Sequence, residues 1–251
     1  MGSSMQAYLG GYEDPRLPKY FTESEAYYAQ ELGQYGKYLA VPTGNIASQN
    51  DVFKMASRPN VTKTTATYWM RASEVYFLLA EAALHGISVN GSAEELYRKG
   101  IAISFEENGI SANEVDSYMN SGRTPMKYEL SMWYPNVNVS EPSVTNATVK
   151  WGGSNEEKLE KIMIQKWIAL YPNGQEAWSE YRRTGYPKLH KVMANYSNGE
   201  VDSNIGIRRM RYPSNRATSD EDKQNLDKAR QMLRDGQDKA GTRLWWDNKN
   251  K

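Results

Sequence analysis

The chain has 251 residues, 31 Lys and Arg against 30 Asp and Glu for a net charge of +1, two His and no Cys. That length suits one large domain or two ordinary ones, and the charge balance gives no general pull toward nucleic-acid backbones or anionic lipid. Disulfides, thiolate metal sites, cysteine nucleophiles and a multi-histidine zinc site are excluded by composition. No apolar run approaches the roughly 20 residues that span a bilayer, and the opening "MGSSMQAYLGGYEDPRLPKYF" lacks the basic-then-apolar order of a signal peptide. There are 18 Tyr and 7 Trp against 4 Phe, a bias toward rings with a polar atom that suits half-wet contact surfaces as well as cores.

Residues 1–66 are rich in Gly, Pro, Ser, Asn and Tyr without a sustained period, which predicts loop-dominated structure with at most short helices. Regular structure is expected over 67–109. From Tyr68, "YWMRASEVYFLLAEAALHG" places Trp69, Ala72, Tyr76, Leu79, Ala80 and Ala83 at helical spacing, and Val75, Leu78 and Ala82 widen the apolar face almost all round. This reads as a buried helix stopped at Gly86. Ser92 and Glu95 have the S-x-x-E spacing of a capping box, opening a second helix whose stripe is Ala93, Leu96, Tyr97, Gly100, Ile101 and Ser104. The two form an αα-hairpin.

Residues 110–153 read as a long polar insertion carrying "MKYELSMWYPNVNVSEPSVTNATVKWGG", and loops of that length inside a compact chain tend to be functional. A second capping box, Ser154 and Glu157, opens a second hairpin over 154–186. Its first helix has the stripe Leu159, Ile162, Met163, Trp167 and Leu170; after "YPNG" comes a shorter helix closed by Gly185. Residues 187–251 hold an extended piece, "IGIRRMRYPSN", a capped helix from Ser219 to about Asp235, and the tail "GTRLWWDNKNK". Tetratricopeptide repeats recur about every 34 residues, much closer than Ser92 and Ser154 stand, so spacing alone establishes no repeat.

The stretch "GQEAWSEYRRTGYPKL", Gly174 to Leu189, gathers two carboxylates and two arginines. Glu176 and Glu180 are neighbours on one helix face, whereas a glycosidase sets two carboxyls on opposite sides of a bond. Arg182 and Arg183 fall in the last turn, where cations complement the helix dipole. The stretch therefore reads as a strut with no catalytic residue. No phosphate loop, G-x-G-x-x-G or H-E-x-x-H occurs, and Asp220, Glu221 and Asp222 after Ser219 are explained by capping better than by calcium. No cofactor or metal is expected.

Four segments, "YWMRASEVYFLLAEAALHG", "LEKIMIQKWIALYPNGQEAWSEYRRTGYPKL", "RRMRYPSN" and "GTRLWWD", together with "SMQAYLGGYEDPRLPKYF", resemble the C-terminal half of SusD/RagB-like outer-membrane nutrient-binding lipoproteins. The resemblance implies a mostly α fold, SusD-like, with tetratricopeptide-like helix hairpins and long irregular loops. It also implies a non-catalytic role at the bacterial outer membrane: holding a glycan and handing it to a SusC-like TonB-dependent transporter, with no nucleic acid involved. A RagB-like peptide receptor or a helical interaction scaffold is the alternative. Family members are about twice as long, and the lipid anchor is expected on the missing N-terminal part. Arg216, after "YPSN", stands where relatives are expected to carry an acidic residue.

Sugars offer flat C–H faces ringed by hydroxyls, which call for stacked aromatic rings with amides at the rim. In the insertion the rings are Trp133, Tyr134 and Trp151, with Tyr128 beside them, and the amides are Asn136 and Asn138. In "GQYGKYLAVPTGN", Tyr35, Tyr38 and Asn45 form a second candidate group.

Overall fold

The computed structural model describes residues 1–26, 37–44, 54–132, 137–213, 218–233 and 237–247. Among them are eight α-helices and one two-stranded antiparallel sheet: α1 (Ser3–Gly11), α2 (Leu17–Tyr20), α3 (Ala72–Leu84), α4 (Ala93–Glu107), α5 (Asn113–Met119), β1 (Tyr128–Met132), β2 (Val137–Glu141), α6 (Asn155–Ala169), α7 (Gly174–Thr184) and α8 (Asp220–Gln231).

The first hairpin forms as its signals predict. Ser92 Oγ accepts from the Glu95 amide at 3.3 Å while the Glu95 carboxylate accepts from the Ser92 amide at 2.8 Å, so two orphan donors of α4 are satisfied together. At the end of α3, Gly86 takes φ 78°, and the amides of Gly86 and Ile87 turn back to Ala83 and Ala82, which closes the helix carbonyls. Glu107 at the end of α4 accepts from both the amide and hydroxyl of Ser73. The antiparallel partner thus caps α3, which has no side-chain cap of its own.

Two expectations for α3 are corrected. It begins at Ala72, because Arg71 is extended and held outside the helix: its guanidinium donates to the Tyr171 carbonyl, pairs with Glu107 at 3.7 Å and lies over the Tyr68 ring. Trp69 is therefore not on the buried face but 91% exposed. Nor is α3 buried all round: Ser73, Phe77, Ala80 and Glu81 face inward, while Val75 and Leu78 are exposed.

The insertion is not a loop throughout. It contains α5 and the β1–β2 hairpin, paired from Tyr128↔Glu141 to Met132↔Val137. Along this hairpin Tyr128, Leu130 and Val139 turn to one side and pack with Ala26, Leu39 and Ala40 in a small second core. These elements are too short to show a period in sequence.

Among the described residues of 1–66 there are two short helices. Helix α1 is buried on nearly every side, and with α2 it sends Tyr8, Leu9, Tyr12, Leu17 and Tyr20 into the main core. That core is shared with Phe77 of α3, Tyr97, Ile101 and Phe105 of α4, and Ile162, Met163, Ile164 and Ile168 of α6. At Gly11 the backbone of residues 124–126 passes so close that no Cβ fits, which is why the chain has glycine there. Helix α6 is central, opened by the second capping box. It buries Lys161, Gln165 and Lys166 as well as Leu159, Ile162 and Met163 of its apolar stripe, while Trp167 is only half-buried. Helix α8 starts at its Ser219 cap as predicted, ends at Gln231 and buries none of its residues.

Candidate functional site

The carboxylates of "GQEAWSEYRR" are all engaged. Buried Lys166 Nζ lies 3.3 Å from Glu180, 3.4 Å from Glu74 and 3.9 Å from Glu176. Arg183 bridges Glu180 and Glu81, each at 2.6 Å. Burial opposes the charge on Glu180, but the hydrogen bond from Arg183 and the field of Lys166 outweigh it and hold the carboxyl below its ordinary pKa. A proton donor needs the opposite shift. These groups tie α7 to α6 and α3.

The rest of α7 clamps the C-terminal tail. The Arg182 guanidinium lies 3.6 Å from the Trp178 ring centroid and 5.0 Å from that of Trp246. Arg208 donates to both oxygens of Asp247, at 2.6 and 2.5 Å, and to the Arg182 carbonyl. Arg209 pairs with Asp238 at 2.6 Å. The segments "YRRTG", "RRMRYP" and "TRLWWD" are thus one interlocked unit.

Four of the predicted ligand residues, Trp151, Asn138, Tyr128 and Tyr38, lie among the described residues. Trp151 is half-buried, 5.0 Å from the Tyr97 ring, with Lys158 over its face at 5.9 Å. Asn138 is exposed on β2 opposite Ser131. Tyr128 is buried and donates its hydroxyl to the Ala40 carbonyl at 2.9 Å, and Tyr38 is buried in the main core with its carbonyl accepting from Gln6; neither ring offers a face to a ligand. Trp133, Tyr134, Asn136, Tyr35, Asn45 and Arg216 lie outside the described residues.

What sequence reasoning missed is a groove of about 950 Å³ beside α6 and α7, with Trp167, Tyr171, Trp178 and Tyr181 among its walls. Tyr171 is backed by Tyr20 and Phe21, and Trp167 by Tyr8. The signal was available as an aromatic ladder, Trp167 and Tyr171 one turn apart, with Tyr171 the first residue of "YPNG", and Trp178 and Tyr181 after it. Reading only Trp167 with the helix stripe, and Trp178 and Tyr181 as packing, hid it. A smaller hollow of about 450 Å³ opens before α3 at Trp69, Arg71, Glu74 and Asn173.

A SusD-like family model, described as Susd and RagB outer membrane lipoprotein, matches residues 1–247. The chain belongs to the SusD-like family. Its fold is also that of solved SusD homologues. One from Bacteroides uniformis is 38% identical with a TM-score of 0.88, over 99% of this chain and 49% of the other. One from Bacteroides thetaiotaomicron is 37% identical, TM-score 0.86, over 100% and 52%. A chitin-binding SusD homologue from Flavobacterium johnsoniae is 36% identical, TM-score 0.85, over 99% and 49%. The chain thus spans about half the length of the solved relatives it matches. No curated protein matches it. Among the described residues of this SusD-like chain, no helix is long and apolar enough to cross a membrane.

Proposed function

We propose that this SusD-like chain binds glycans without cleaving them, at the surface of the bacterial outer membrane, as part of a lipoprotein that passes oligosaccharides to a SusC-like TonB-dependent transporter. The observation that carries this reading is the match over residues 1–247 to an outer-membrane lipoprotein family, one of whose solved members, 36% identical here, is chitin-binding. The engagement of Glu74, Glu81, Glu176 and Glu180 in ion pairs supports a binding role over a hydrolytic one.

In this reading the contacts come from Trp133, Tyr134, Asn136 and Asn138, in and beside the segment that joins β1 to β2, with Trp151 and Tyr35, whereas Tyr128 and Tyr38 are packed in the interior. Ring stacking contributes about 1–3 kcal/mol per ring, by analogy with stacked bases, so two rings give affinity near millimolar, where about −4.1 kcal/mol applies. Capture of a polymer then relies on several weak subsites acting through effective concentration.

Isothermal titration against a panel of oligosaccharides, chitooligosaccharides included, tests the reading. Binding to at least one member is expected, weakened about tenfold by Trp133→Ala, with no turnover of any sugar. Binding of peptides and of no saccharide would move the chain to the RagB-like reading. Hydrolysis of a glycoside that Glu176→Gln abolishes would defeat both.

A further inference from the structure

Four Asn-Gly pairs stand in the sequence, at 90–91, 108–109, 173–174 and 198–199. In such a pair the backbone nitrogen after the asparagine can attack the side-chain amide carbon, because glycine sets no Cβ in its way. The attack needs two freedoms: a side chain able to swing back over the following peptide, and an amide that holds no other partner. The fold grants them unequally.

Two pairs are held. Asn108 Nδ2 donates to the Ser104 carbonyl at 2.6 Å, and the Gly109 amide to the Glu106 carbonyl at 3.0 Å. Asn173 Oδ1 accepts from the Glu176 amide at 3.3 Å as the cap of α7, and the Gly174 amide donates to the Pro172 carbonyl at 2.8 Å. A third pair is partly held. Asn198 and Gly199 are exposed, at φ 53° and 82°, inside a turn closed by the Glu200 amide on the Ser197 carbonyl at 3.1 Å. This is the left-handed pattern that Asn-Gly favours in type I′ turns, and it fixes the backbone angle between the two residues.

The remaining pair is free. Asn90 and Gly91 are exposed in the link between α3 and α4. Among the described residues no hydrogen bond engages the Asn90 side chain or the Gly91 amide, and none closes a turn across them. Both sides of the link are anchored, since Val89 packs against the main core and Ser92 is locked in its capping box with Glu95. Gly91 sits at φ 121°, where a Cβ would stand 3.3 Å from Leu96, so glycine alone is unstrained there.

We propose that Asn90 is a self-modification site, converted by its own backbone and water to aspartate and isoaspartate while the fold stays intact. The Gly91 nitrogen bonds to Asn90 Cγ and gives up its proton; the Cγ–Nδ2 bond breaks, and Nδ2 leaves with that proton as ammonia. Water then opens the cyclic imide at either carbonyl. One neutral amide becomes one carboxylate, which takes the net charge from +1 to zero. The new charge lies just before the N-terminus of α4, where anions are favoured, and the Ser92–Glu95 hydrogen bonds lie beyond the altered peptide. The inference is independent of which ligand the loops hold.

Peptide mapping of the 251-residue chain, held folded at mildly alkaline pH in heavy-oxygen water, tests it. Conversion, read as heavy oxygen taken into the new carboxylate, is expected at Asn90 at least tenfold faster than at Asn108 and Asn173. Asn198 should fall between them, and the four rates should converge in urea. Asn90→Gln, whose longer side chain would have to close a larger ring, is expected to remove most of the acidic band that isoelectric focusing shows in the aged chain. Equal rates at the four pairs in the folded chain would overturn the proposal, as would any other pair converting first. A Tm that falls as Asn90 converts would overturn the claim that the fold is kept.

Discussion

Arg16 shows how a single residue can organise the interior of this chain. It is fully buried, and its backbone amide, Nε and Nη2 all donate to the Asp14 carboxylate. The remaining donor capacity goes to Ser104 of α4, Tyr118 of α5 and Gln165 of α6, while Tyr118 donates its hydroxyl to Asp14 at 2.5 Å. Burial by itself would push the Arg16 proton off, and the adjacent Asp14 charge reverses that, holding its pKa above the ordinary arginine value. Three helices, α4, α5 and α6, therefore meet on one buried cation paired with Asp14, and breaking such a pair leaves an uncompensated buried charge. Asp14→Asn is expected to lower the unfolding free energy by about 3–5 kcal/mol, measured by urea denaturation. A loss below 1 kcal/mol would mean the network is no keystone. "EDPRL" in a Gly- and Pro-rich stretch signals a turn; nothing local announces that Arg16 reaches residues about 90 to 150 positions away.

At the scale of the helices, contact between α3 and α4 depends on a missing side chain. A Cβ at Gly100 would stand 2.7 Å from the buried Phe77 ring, so the ring occupies the space that glycine leaves. Gly100→Ala raises helix propensity by about 1 kcal/mol but overpacks the contact at a cost of about 1–3 kcal/mol. We expect a net loss of about 1 kcal/mol in urea unfolding, with the exposed control Lys99→Ala changing stability by less than about 0.5 kcal/mol. Gly100→Ala stabilising the chain would show that Phe77 can move aside. Elements with capping boxes were legible from sequence, because Ser92 with Glu95, Ser154 with Glu157 and Ser219 with Asp222 complete their hydrogen bonds within one turn. Helix α1 and the β1–β2 hairpin were not. The first is buried on nearly all sides and so has no polar face to give a period, and each strand is only five residues long.

In the molecule as a whole, the C-terminal tail is fastened to α7 by two kinds of contact: the Arg208–Asp247 ion pair and the stacking of Arg182 between Trp178 and Trp246. A partly desolvated cation–π contact contributes about 0.5–2 kcal/mol. Trp246→Ala should therefore release the tail locally, raising amide exchange of residues 242–247 about tenfold, with little change in the α3–α4 hairpin. Equal exchange in variant and parent would show that the ion pair alone holds the tail. The aromatic groove is lined by Trp178 and Tyr181 of the same helix, so α7 joins the tail, the charged strut and the groove.

The amino-acid sequence by itself determined where capped helices begin, that Gly86 and Gly185 end them, that the Glu176–Arg183 stretch is a strut, and that the chain is SusD-like, since each of these is written in residues a few positions apart or in short motifs in order. Only the tertiary structure decided which aromatic rings are walls and which are surface. The sequence reading offers Tyr128 as a ligand ring and Trp69 as a core ring, yet the first is sealed under Ala40 and the second stands in solvent. Burial is set by partners distant along the chain, and Arg71, held by Tyr171 and Glu107, is what turns Trp69 outward.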